Sequence, residues 1–139
     1  MPTFEELKAQ MQDDDGGVRV RAAVASRALS PAEQFAIACM GVHDSNARVR
    51  YDAASRLGTV GHCDLSQTEE MLRTLLREDP ETDVRAAAAD AIAALKLTAA
   101  YDDLMTAYAE ATAPDGWLLR FSIVAVRWGN WAIAGPGIF

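Results

Sequence analysis

The sequence predicts an all-α solenoid of about four stacked helix pairs, and three observations carry that expectation. A valine-arginine or leucine-arginine motif recurs along the chain, turn-forming segments separate the stretches between, and alanine and leucine dominate the apolar content. Aromatic residues and β-branched runs are few, which favours helix over sheet because alanine and leucine lose little freedom in a helix. With 139 residues, the chain has the length of one domain, and a domain of that size hides roughly 68% of the surface its unfolded form exposes. A core is therefore within reach without disulfides.

The repeat sets every later assignment. Val20-Arg21-Ala22-Ala23, Val49-Arg50-Tyr51-Asp52, Val84-Arg85-Ala86-Ala87 and Leu119-Arg120-Phe121-Ser122 recur with arginine spacings of 29, 35 and 35. Asp15, Asp44 and Asp79 stand six residues before the first three arginines, and Asp115 stands five before the fourth. Stacked repeats bring such turn aspartates and helix arginines side by side. Asp15, Arg21, Asp44, Arg50, Asp79, Arg85, Asp115 and Arg120 are therefore expected to form a ladder of charge-assisted hydrogen bonds. This organisation resembles that of a HEAT-like array.

Capping signals divide the chain in the same way. Thr3 with Glu6, and Ser66 with Glu69, form capping-box patterns, while Ser30-Pro31 offers an N-cap followed by proline in the first turn. The helix pairs are expected at 3–12 with 18–28, 31–41 with 47–57, 66–78 with 83–95, and 98–110 with 117 onward. Turn formers connect them: Asp13-Asp14-Asp15-Gly16-Gly17, Asp44-Ser45-Asn46, Asp79-Pro80-Glu81-Thr82 and Pro114-Asp115-Gly116. Leu72, Leu75 and Leu76, like Val84, Ala88, Ala91, Ile92 and Leu95, follow the three-and-four spacing of a buried stripe. The alanine run 86–89 lets neighbouring helices come close.

The repeat domain is read as residues 1–126, and residues 127–139 as an irregular tail. By alignment to Arg50–Gly58, a leucine-glycine pair belongs at positions 127 and 128, where the chain instead continues Arg127-Trp128-Gly129-Asn130-Trp131. Reading those codons one nucleotide earlier admits Ala-Leu-Gly-Glu-Leu-Gly, so the tail reads as a frameshifted product. Its Trp128, Trp131, Ile133, Ile138 and Phe139 would offer an apolar surface for self-association.

Charge and motif content narrow the function. A formal net charge of −7 disfavours nucleic acid and anionic membranes, both of which need clustered cations. No apolar run approaches the roughly 20 residues of a membrane span and the first residues lack a leader pattern, so a cytoplasmic location is expected. Cys39 and Cys63 are far apart and read as idle thiols. His43 and His62 lack a second ligand at short spacing, so no metal site is expected. Gly16-Gly17 follows three aspartates and reads as a turn rather than a phosphate loop. Ser26, Ser55 and Ser122 lie within helices with no recognisable triad, and Glu5-Glu6, Glu69-Glu70 and Asp102-Asp103 read as solvated faces.

A protein-binding surface is the better reading. In such an array the second helices of the pairs line one surface, here carrying Arg19, Arg27, Arg48, Asp52, Arg56, Asp90, Trp117 and Arg127. Arg48, Tyr51, Arg56 and Trp117 have no ladder role and are the candidate partner-binding residues, since arginine and aromatic side chains are the usual interface anchors.

Four segments carry a narrower resemblance: Asn46-Ala47-Arg48-Val49-Arg50-Tyr51, the run Asp83-Val84-Arg85 through Ile92, Ala100-Tyr101-Asp102-Asp103-Leu104, and Trp117-Leu118-Leu119-Arg120-Phe121-Ser122-Ile123-Val124. Together they resemble the phycobilisome lyase HEAT-like-repeat family, and within it the NblB-type phycobilisome degradation proteins of cyanobacteria. The resemblance implies phycobiliprotein subunits as partners, a transient linear tetrapyrrole (bilin) as ligand with none held covalently, and action at thylakoid-bound phycobilisomes. It implies bilin detachment or antenna disassembly as the role. A bilin lyase subunit or chaperone is the alternative within the family, and a scaffold for an unrelated partner the alternative outside it.

Overall fold

The computed structural model describes residues 1–110. The second helix expected from residue 117, the tail 127–139, and Asp115, Trp117 and Arg120 lie outside the described residues. Within them the chain is an all-α helical-repeat solenoid, built from α1 (Phe4–Gln10), α2 (Gly16–Ala25), α3 (Pro31–Gly41), α4 (Ala47–Val60), α5 (Leu65–Glu78), α6 (Thr82–Ala94) and α7 (Tyr101–Glu110). Single 3-10 turns extend α2 at Ser26–Ala28, lead into α5 at Gly61–Asp64 and lead into α7 at Thr98–Ala100.

The helix starts follow from local chemistry. Thr3 and Glu6 close a reciprocal capping box on α1, and Ser30 with Glu33 closes another on α3 behind Pro31. Asp15 and Asn46 cap α2 and α4 by accepting from Gly17 N–H and Arg48 N–H. The start of α5 differs from expectation. Asp64, not Ser66, is the cap, accepting from Gln67 N–H at 3.1 Å. The preceding 3-10 turn carries the chain straight into the helix, so the earlier carboxylate reaches the free amides first and Ser66 falls inside. At the other end of the third pair, Lys96 adopts the left-handed conformation (φ 54°) that closes α6, with Leu97 N–H donating to the Ile92 carbonyl at 3.0 Å.

Pairs α1/α2, α3/α4 and α5/α6 stack so that α2, α4 and α6 form one layer and α1, α3 and α5 the other, with α7 beginning the next pair against α5. The layer of second helices is the tighter one, for a reason visible in its residues. At Gly58 of α4, an added Cβ would lie 3.3 Å from Ala91 Cα and 3.4 Å from Ala91 Cβ of α6. Glycine facing alanine removes the side chains that would hold the two axes apart. Within the second pair, Gly41 faces Ala53 and Val49 in the same way, its missing Cβ 2.9 Å from Ala53 Cβ.

Apolar stripes fill the space between the layers. Val49, Ala54, Leu57, Leu72, Leu76, Val84, Ala88 and Ile92 are essentially inaccessible, and a second cluster of Leu7, Met11, Ala22, Ala23 and Ile37 joins the first pair to Val49. Burying each leucine or isoleucine contributes about 2 kcal/mol before entropy is counted. The stack is therefore held by two apolar clusters, with polar links along one edge.

Candidate protein-binding surface

The polar links lie at the turns that open the second helices. Arg50 donates from Nε to Asp79 Oδ2 at 2.7 Å and from Nη2 to Asp79 Oδ1 at 3.2 Å, a two-point pairing between successive repeats. Its Nη1 holds the carbonyls of Asp44 and Ser45 in its own turn, at 3.0 and 3.1 Å. Arg19 repeats the arrangement one pair earlier, reaching Asp44 at 2.8 and 3.1 Å and the Asp13 and Asp14 carbonyls at 2.7 and 3.2 Å. These hydrogen bonds hold both guanidiniums above their already high ordinary pKa, against the opposing effect of burial.

The ladder thus runs through Arg19 rather than Arg21, which is exposed and makes no ion pair among the described residues. Asp15, expected on the ladder with it, is instead the N-cap of α2. The structural register is Asp13-x-Asp15-x-x-Val18-Arg19, Asp44-x-Asn46-x-x-Val49-Arg50 and Asp79-x-Glu81-x-x-Val84-Arg85. In each, the first aspartate accepts the N–H two residues on, at 2.8 to 2.9 Å, which fixes the carboxylate for the incoming arginine. Val18-Arg19 and Val20-Arg21 are both Val-Arg pairs, and the N-caps Asp15, Asn46 and Glu81 align with the first. Arg85 occupies the third arginine position, with Nη2 3.5 Å from Thr82 Oγ1; Asp115 and Arg120 lie outside the described residues.

The candidate anchors separate. Arg48 and Tyr51 stand on the outward side of α4, and Tyr51 is 49% exposed. Arg56 is turned inward. Its side chain is 13% exposed and pairs with Asp52 at 3.5 Å, and Asp52 also meets Arg27 at 3.9 Å, tying the end of the first pair to α4. Arg56 therefore belongs to the packing between repeats, because position 56 lies one helical turn from Asp52 on the side facing α2. Trp117 lies outside the described residues.

Between α4 and α6 the outward face is concave. One cleft of about 310 Å3 is lined by Tyr51, Ser55 and Thr59 on α4, with Asp83 and Asp90 on α6 and a floor of Gly58 and alanines. A neighbouring cleft of about 380 Å3 shares Tyr51 and Asp83 and extends to Arg48 and Glu81. The close glycine-alanine contact makes the floor shallow and smooth, and sequence reasoning did not foresee Asp83 as part of it. The alanines of α6 are the signal available in the sequence, and Ala91 and Ala94 are the ones that face Gly58.

A family model for HEAT repeats matches residues 34–120. The chain belongs to the HEAT repeat family. No curated protein and no solved structure matches it. HEAT repeats form helical scaffolds whose stacked faces receive other proteins, and the α4/α6 face of this HEAT array has the exposed aromatic and arginine side chains such a role uses. Among its described residues no three His, Cys, Asp or Glu side chains gather as a metal site, and no helix is long and apolar enough to cross a membrane.

Proposed function

We propose that this HEAT-repeat chain engages phycobiliproteins and assists phycobilisome disassembly or bilin detachment, working in the cytoplasm beside thylakoid-bound antennae. The reading is supported by the combined resemblance of the segments at 46–51, 83–92, 100–104 and 117–124 to the phycobilisome lyase HEAT-like-repeat family. The observation that carries it structurally is the adjacent exposure of Arg48 and Tyr51 on the outward face of α4. A bilin bears propionates and a conjugated plane, for which a guanidinium and a phenol ring are suitable contacts during transient binding.

Gel filtration of the chain mixed with holo-phycobiliprotein, read by visible absorbance, tests this reading. Co-elution with a change in bilin absorbance is expected, weakened when Arg48 and Tyr51 are both replaced by alanine. Covalent loading of bilin onto apo-phycobiliprotein would favour the lyase-subunit alternative instead. No association with either form returns the chain to a HEAT scaffold for a different partner.

A further inference from the structure

We propose that the cleft between α4 and α6 receives a single lysine or arginine side chain from an extended segment of a partner protein, with its stem on the alanine floor and its head group between Tyr51 and Asp83. The inference rests on the protein-scaffold reading of the chain, but not on the identity of the partner.

Three properties of the cleft define this occupant. Its volume of about 310 Å3 accommodates a long side chain and the backbone that presents it, but not a helix about 10 Å across. Its floor is made by Gly58, Ala86, Ala87, Ala91 and Ala94, which gives methyl groups for an aliphatic stem to lie on and no side chain to block it. Among the described residues its charged lining is Asp83 and Asp90, and since Asp90 already engages another group, the head group is placed at Asp83.

Asp83 is exposed and makes no ion pair among the described residues. Tyr51 lines the α4 wall of the same cleft, and a tyrosine ring is a surface on which a cation can rest. Ser55 and Thr59, both exposed, continue the α4 wall with hydroxyls suited to the backbone of an extended chain. The neighbouring cleft supplies the selectivity. There Arg48 stands beside Glu81 and Asp83, so a second cation placed toward that end meets a guanidinium. The surface therefore favours an isolated lysine or arginine over a polybasic run, in keeping with local rather than overall charge complementarity.

Fluorescence polarisation with the full chain tests this. Two labelled octapeptides of alanine and serine are used, identical except that one carries a central arginine and the other a central glutamate. The arginine peptide is expected to bind and the glutamate peptide not to, with Asp83→Asn and Tyr51→Ala each weakening binding at least five-fold. Glu70→Gln, which removes the same charge from the exposed face of α5, should leave it unchanged. Failure of the arginine peptide to bind, equal losses in Asp83→Asn and Glu70→Gln, or binding indifferent to Tyr51→Ala would each overturn the proposal. Co-elution with phycobiliprotein, measured on the same samples, distinguishes the two readings. Retained co-elution without peptide binding removes only the cleft proposal, and peptide binding without co-elution removes only the antenna partner.

Discussion

Arg50 and Asp79 form a two-point ion pair at 2.7 and 3.2 Å, and the Asp79 side chain is only 3% exposed. Since Arg50 also holds the Asp44 and Ser45 carbonyls, one side chain joins the turn of the second pair to the turn of the third. The planar guanidinium can do both because its donors point in fixed, separate directions.

Arg50→Ala is expected to lower the unfolding free energy by about 3 kcal/mol, mostly through leaving Asp79 buried without its cation. Arg50→Lys should recover less than half of that, because an ammonium cannot serve carboxylate and carbonyls in the same geometry. Arg21→Ala should change stability by no more than about 0.5 kcal/mol. Urea-unfolding midpoints of the three variants check the assignment, and equal effects at positions 21 and 50 would refute the Arg19 register.

Gly58→Val should destabilise the fold by about 2 kcal/mol, even though valine forms helix better than glycine. The first added carbon already lies 3.3 Å from Ala91 Cα, a backbone atom that cannot rotate away. Thermal unfolding of this variant beside Gly58→Ala would reveal whether the close approach of α4 and α6 governs the result.

Lys96→Gly acts in the opposite direction. Lys96 holds φ at 54° to let Leu97 N–H reach the Ile92 carbonyl, a conformation costing a side-chain-bearing residue about 1 kcal/mol more than glycine. A gain of about that size in unfolding free energy is expected, offset in part by the greater freedom of glycine in the unfolded chain.

Cys39 and Cys63 should differ in reactivity. Burial, and secondarily the charge of Asp64, push the Cys39 thiol above the ordinary value of 9.0, whereas Cys63 is exposed. With the folded pKa raised above the unfolded one, this group's contribution is fully present below pH 9 and is lost as pH rises through the folded value. Stability should therefore fall more steeply above pH 9 than in Cys39→Ala. At pH 8, alkylation by iodoacetamide followed by mass spectrometry should modify Cys63 first, and faster modification of Cys39 would contradict the burial.

The sequence by itself determined the class of fold, the first three helix pairs and the caps at Thr3 and Ser30, because hydrophobic spacing and capping are local and leave a local record. It also placed Arg50 and Asp79 on a common ladder, since their motif recurs at a regular interval. Only the tertiary structure decided between Arg19 and Arg21, which occupy equivalent Val-Arg pairs in sequence but differ in whether the next turn lies within reach. Only stacking buried the local Arg56–Asp52 pair beside Arg27 of the first repeat while leaving Arg48 and Tyr51 outside. Gly58 against Ala91 likewise became a groove floor through the approach of two helices distant in sequence, and contacts between elements are a property of three-dimensional packing that helix periodicity does not encode.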